Sequence, residues 1–232
     1  MRVYYDLHIH TVLSPCADVL MTPNNIFNMA MLKKLDMIAI TDHNSCKQLP
    51  MCEEISKSYD MLFIPGVEIS VSDGFHVLCY FKSVTEAMRF DKILETFIKH
   101  EKVNLEIYNE QSLTNECDET IQTWPYLLSS DTNLSFDELM TILKDFEVII
   151  GYAHLDRAKH SGLDQVHLKP LDFVEITQHA TEAFIEENVL DRYPIFLNSD
   201  AHQITHISEK KYNHIQLEQL NIGAFFRYFH HG

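Results

Sequence analysis

A chain of 232 residues that is 46% hydrophobic has enough material to bury the core of one large domain or two small ones. Its formal net charge of −16 argues against a general binder of the phosphate backbone, because such proteins present basic surfaces. An anionic substrate would have to be attracted by bound cations instead.

Val3 to Ile9 reads as a first strand, ending in Asp6-Leu7-His8-Ile9-His10. Thr22-Pro23-Asn24 opens a helix with Pro in its first turn. Met37-Ile38-Ala39-Ile40 is a continuous apolar run, the pattern of a strand buried on both faces, and Ser45 is placed to cap a helix running to about Tyr59. Leu62-Phe63-Ile64 leads through Gly66 to Ile69; Ser72-Asp73-Gly74 is a turn, and His76 to Phe81 is the returning strand. That hairpin brings Glu68 beside His76. Thr85 to about Asn109 reads as a long helix, and Phe136 to Phe146 as another. Between them the stretch of about 110–134, polar and irregular around Trp124-Pro125, is expected to be an inserted loop or lid rather than a linker. Val148-Ile149-Ile150, Phe173-Val174 and Ile195-Phe196-Leu197 supply further buried strands. The alternation implies an α/β fold with a mostly parallel sheet, a single domain over 1–232, and chemistry at the carboxyl ends of the strands. His230 and His231 form a terminal tail.

Metal-type donors sit after these strands. Alternate side chains of a strand share a face, so His8 and His10 point the same way and can hold one ion; Asp200 and His202 repeat the pattern. His43 follows an apolar strand, although a helix-capping role is the plainer reading, with Asp42 or Asn44 able to take it instead. Glu68 could be a solvated carboxylate, but two oxygens also let it bridge two ions. His76 gains interest only from its nearness to Glu68, and His154 from the small residues around it; Asp18 is equally readable as part of a plain loop. His100, His160, His167, His179, His206 and His214 are read as surface or structural. Six histidines and three carboxylates exceed what one ion uses, and nitrogen and oxygen donors without sulfur suit Zn, Mn or Fe.

The series Asp6-Leu7-His8-Ile9-His10-Thr11, Ile40-Thr41-Asp42-His43, Gly66-Val67-Glu68, His76-Val77-Leu78, Ala153-His154 and Ser199-Asp200-Ala201-His202 resembles the motifs of the polymerase and histidinol phosphatase (PHP) superfamily. The resemblance runs from Met1 to about Asn221. It implies a distorted (β/α)7 TIM-like barrel with a trinuclear metal centre that hydrolyses phosphate esters through hydroxide at the metals. Carried over, His8, His10, Glu68 and Asp200 hold one ion; Glu68, His76 and His154 a second; Asp18, His43 and His202 a third. The family often places its first-motif carboxylate in a Ser-Asp-Gly triplet, whereas here Ser14 is followed by Pro15-Cys16-Ala17-Asp18. Two or three divalent ions are expected accordingly.

Arg157, three residues after His154, is the candidate phosphate clamp, with a surface salt bridge as the plain alternative. Asp200 or His202 is the candidate donor of a proton to the leaving oxygen. The substrate is expected to be a small phosphorylated metabolite or nucleotide, or a short single strand of nucleic acid. One rival is an amidohydrolase or deaminase, which also begins with His-x-His but should carry a bridging lysine that is not found after Val148-Ile149-Ile150 or Phe63-Ile64. The other is a non-catalytic barrel stabilised by metals. Five scattered cysteines without a C-x-x-C pair, no apolar run of membrane-spanning length and no signal peptide ahead of His8 point to the cytoplasm.

Overall fold

The computed structural model describes residues 1–177, 179–210 and 213–230; His231 of the expected tail lies outside them. Among these residues the strands are β1 (Arg2–Ile9), β2 (Met37–Ile40), β3 (Leu62–Ser70), β4 (His76–Phe81), β5 (Ser112–Thr114), β6 (Thr120–Thr123), β7 (Val148–Tyr152), β8 (Phe173–Ile176), β9 (Ile195–Leu197) and β10 (His214–Gln216). The α-helices are α1 (Pro23–Leu32), α2 (Leu49–Ser56), α3 (Val84–Leu94), α4 (Phe136–Leu143), α5 (Glu182–Glu187) and α6 (Ile222–His230). No helix among them is long and apolar enough to cross a membrane. All five cysteines are free thiols.

Eight strands form one sheet in the order β10-β1-β2-β3-β4-β7-β8-β9. It curls until the segment after β9 meets β1: the His10 N–H donates to the Ala201 carbonyl at 3.0 Å, and the Ala201 N–H to that of His8 at 3.1 Å. The architecture is mixed α/β and barrel-like, but a regular seven-fold βα repeat is not followed throughout. β3 and β4 are a hairpin, β4 also runs antiparallel to β7, and β10 adds an antiparallel edge on β1. Antiparallel β4 begins where its parallel neighbours end, so His76 at its start lies at the same rim as the strand-end donors.

Side-chain parity decides what reaches that rim. Val3, Tyr5 and Leu7 pack with Met37, Ala39, Ile64, Leu78, Tyr80, Ile149, Phe173 and Phe196 in one core cluster between the strands. Strict alternation would send His8 and His10 to the opposite face from Leu7. The β1–β2 register shifts between Asp6 and Ile9, and this irregularity turns both histidines to the interior side. Phe225 and Phe226 of α6 join the same cluster and close the end opposite the rim. The other face of the sheet packs with α1 to α4 in a second cluster that includes Phe27, Cys52, Phe90 and Leu139.

Three helical expectations need revision. The helix expected from Ser45 starts only at Leu49; over 45–48 the chain is irregular, with the Cys46 N–H donating to Asp91 at 2.7 Å. The helix expected over Thr85–Asn109 stops at Leu94 and passes through a single 3-10 turn at Glu95–Phe97. The helix expected to end at Phe146 ends at Leu143. Within 110–134, β5 and β6 make a small antiparallel sheet, and the Gln111 side chain ties its ends together by donating to the Trp124 and Tyr126 carbonyls and accepting from Leu128 N–H.

Candidate metal centre

Every donor expected from sequence except Asp18 arrives at this rim. His8 Nε2 and His10 Nε2 stand 3.1 Å apart; Asp200 Oδ1 is 3.3 Å from the first and 3.1 Å from the second. Glu68 completes the set, with Oε1 3.4 Å from His8 Nε2 and Oε2 3.4 Å from His10 Nε2. Donors bonded tetrahedrally to one ion at about 2.0–2.1 Å stand about 3.3 Å apart, and these contacts of 3.1–3.4 Å lie near that value, the two from Glu68 being made by different oxygens. Glu68 also meets His43 Nδ1 at 2.8 Å, His76 Nδ1 at 2.9 Å and His154 Nε2 at 3.0 Å. One buried carboxylate therefore serves five imidazoles, which suits a bridging ligand.

The donor set passes a second test of fit. His76 Nε2 and His154 Nδ1 are buried without a hydrogen-bond partner, and buried polar atoms rarely go unpaired unless a ligand is meant to take them. His154 and Asp200 both adopt left-handed backbone, with φ of 31° and 48°. Such strain in non-glycine residues costs on the order of 1–3 kcal/mol and concentrates at functional sites.

Electrostatics lean the same way. Burial opposes charge on His8, but Glu175, Asp200 and Glu68 outweigh it and hold its pKa well above the usual histidine value. Burial, reinforced by His202 and His43, pushes His10 well below that value, so its lone pair is free at neutral pH. Burial works against the Glu68 and Asp200 carboxylates, yet the neighbouring imidazoles overcome it and hold both well below the normal carboxylate range. The cluster is built around positive charge.

Two residues that fix this geometry carry no motif. Glu175 on β8 accepts from His8 Nδ1 at 3.0 Å, from the His154 N–H at 3.0 Å and from Asn198 Nδ2 at 2.7 Å. Asn198 in turn accepts the Leu7 N–H at 2.9 Å. Outer partners of this kind set the tautomer and orientation of a ligating histidine. A carboxylate inside the apolar run Phe173–Ile176 was the available signal. Glu175→Gln should weaken divalent-ion affinity about ten- to hundredfold in a competition against a chelator; unchanged affinity removes this role. Asp42 likewise accepts from Thr11 N–H, Thr11 Oγ1 and Ser14 Oγ, each at 2.7 Å, which makes it the clasp of the first-motif loop.

Asp18 is placed differently. Its backbone N–H donates to the His202 carbonyl at 2.8 Å, but its carboxylate accepts from Leu20 N–H at 2.9 Å and belongs to no convergent donor group among the described residues. His10, His43 and His202 form a group without it. Arg157 pairs with Asp200 Oδ2 at 2.5 Å while staying 45% exposed. This pair separates two cavities. One of about 550 Å³ is lined by His43, Glu68, His76, His154 and His202; the other, of about 640 Å³, runs past Lys33, Asn198 and Ser199.

No family model matches the chain. Over 70 residues it is 46% identical to the 5'-3' exoribonuclease Rnm of Salmonella typhimurium, a match covering 29% of this chain and 23% of that protein. The chain thus spans under a quarter of the length of that curated relative. Three solved structures share the fold. A lesion-specific endonuclease of Pyrococcus furiosus aligns over 98% of this chain and 55% of its own, at 19% identity and a TM-score of 0.71. An amidohydrolase of Chromobacterium violaceum aligns over 97% and 96%, at 14% identity and 0.60. A candidate metal-dependent phosphoesterase of Bifidobacterium adolescentis aligns over 86% and 88%, at 17% identity and 0.57.

Proposed function

We propose that the chain is a PHP-type metal-dependent phosphoesterase acting on short single strands of nucleic acid. The observation that carries this reading is the convergence of His8, His10, Glu68 and Asp200, extended through Glu68 to three more imidazoles. The exoribonuclease relative favours nucleic acid over a small phosphorylated metabolite, for which no such support exists. The fold alone does not separate a phosphoesterase from an amidohydrolase, since both occur among the similar structures.

His8, His10, Glu68 and Asp200 would hold one divalent ion, and Glu68, His76 and His154 a second. His43 and His202 would hold a weaker third, because the Asp18 carboxylate is turned to Leu20. Zn, Mn or Fe fits this donor set. Bound there, the ions supply Lewis-acid stabilisation of phosphoryl oxygens and a nucleophile drawn from water at neutral pH.

The chain's own groups do the rest. Arg157 leaves Asp200 to pair with two oxygens of a phosphate, a bidentate match for its guanidinium. With the third position unfilled, His202 would give the proton to the leaving oxygen; its Nδ1 faces the Asp200 carbonyl at 3.0 Å and so carries a hydrogen, which leaves Nε2 for that transfer. Asp200 is held ionised, with Oδ1 facing both His8 and His10, which leaves it the ligand role. The 110–134 segment shields the site from one side, with Asn44 Nδ2 donating to the Leu128 and Ser130 carbonyls to hold it there.

Protein reconstituted with Mn2+ is expected to release mononucleotides from 5'-phosphorylated single-stranded oligonucleotides, and a chelator to stop it. Turnover of phosphorylated metabolites with the oligonucleotides left intact would overturn the substrate class; amide hydrolysis without any phosphate-ester cleavage would favour the amidohydrolase reading. Arg157→Ala should raise KM for the oligonucleotide about tenfold with kcat less affected, the loss of one charge-assisted pair. An unchanged KM makes Arg157 a surface residue.

A further inference from the structure

His76 offers a nitrogen to each side. Nδ1 lies 2.9 Å from Glu68 Oε1, a hydrogen-bond contact to a carboxylate oxygen that places the ring hydrogen on Nδ1. Nε2 then holds a lone pair, buried, without a partner, in a residue only 7% exposed. Donor atoms of His76, Asp131 and His160 lie within 4.8 Å of one another. The His160 ring stacks on that of His76 with centroids 4.6 Å apart.

Backbone contacts hold all three in place. The His76 N–H donates to the His160 carbonyl at 3.0 Å, and Phe75 bridges to His160. His160 sits at a φ of 59°, an uncommon conformation for a non-glycine residue. On the other side, Thr132 next to Asp131 donates its N–H to the Ser70 carbonyl at 2.8 Å.

We propose that His76, Asp131 and His160 form a further, outer divalent-cation site on the wall of the cavity that also holds Arg157. Two imidazoles and one carboxylate are the three-ligand set of an open zinc site, which leaves a position for a ligand from solvent or substrate. Without an inner ion the Nδ1–H of His76 stays on Glu68, the carboxylate–histidine arrangement that orients a ligating ring; an inner ion would displace that proton and take Nδ1, and Nε2 would still remain for the outer one. An ion there places positive charge at the entrance of a chain whose net charge is −16, where an anionic strand would have to approach.

The site shares only His76 with the proposed hydrolytic centre, so the two readings can fail separately. Chelator-stripped protein is titrated with Zn2+ and bound metal is counted by calorimetry and elemental analysis. Asp131→Asn/His160→Asn should bind one equivalent fewer per chain than the unmodified protein, while His8→Ala/His10→Ala should keep the outer equivalent. Asn at 160 tolerates the left-handed backbone, and the single variants Asp131→Asn and His160→Asn stand in should the double variant misfold. Equal stoichiometry in the unmodified protein and the Asp131/His160 variants overturns the proposal, whatever happens to activity.

Discussion

Glu68→Gln should abolish divalent-ion binding at the inner cluster and reduce phosphate-ester hydrolysis by roughly three orders of magnitude, equivalent to about 4 kcal/mol of transition-state stabilisation. The substitution keeps the shape of the side chain and removes its charge. Glu68 is 1% exposed and lies within 3.4 Å of a nitrogen of His8, His10, His43, His76 and His154. An amide at this position cannot bridge two cations, and its NH2 group would face imidazole nitrogens that are themselves meant to bind metal. Metal content after dialysis and turnover of an oligonucleotide check the outcome together. Retained activity with full metal content would remove Glu68 from the centre; lost metal with retained activity would mean that hydrolysis does not need it.

Gly151→Ala should be the most destabilising small change in the sheet, by about 3 kcal/mol. A Cβ at this position would stand 2.2–2.4 Å from three ring carbons of Phe173, closer than van der Waals contact permits. The ring has no room to retreat. Phe173 is fully buried, stacks on Tyr80 at 5.4 Å, and meets Phe196 edge-on at 5.2 Å. For a chain of this size the melting temperature should fall by roughly 6–12 °C. Gly151 precedes His154 on the way out of β7, so the displacement is also expected to reach the site. An unchanged melting temperature would show that β7 and β8 can slide apart at no cost, contrary to this packing.

Seven of the eight strands of the main sheet were legible because continuous apolar runs have few other uses in a chain of this length; β10 and the small pair β5 and β6, short and polar, were not. The hairpin of β3 and β4 was legible too, since Ser72-Asp73-Gly74 marks its turn, and its register places Glu68 opposite Leu78 and diagonal to His76. The helices were read less well. Cys46 N–H is held by Asp91 and the Gln48 side chain by Thr114, both remote in the chain, and no local pattern announces such tertiary contacts around 45–48.

The sequence by itself determined the inventory of donors, their order after the strands and the α/β class, because alternation of side chains and apolar periodicity are local properties. Only the tertiary structure decided that a register shift in β1 turns His8 and His10 inward, that Glu175 stands behind His8 from 167 residues away, and that the Asp18 carboxylate turns to its own loop. It also decided that His160 stacks on His76 instead of facing solvent alone. The physical reason is the same in each case: a buried polar group is satisfied by whichever partner the fold brings within reach, and that reach is set by sheet curvature and register rather than by neighbours along the chain.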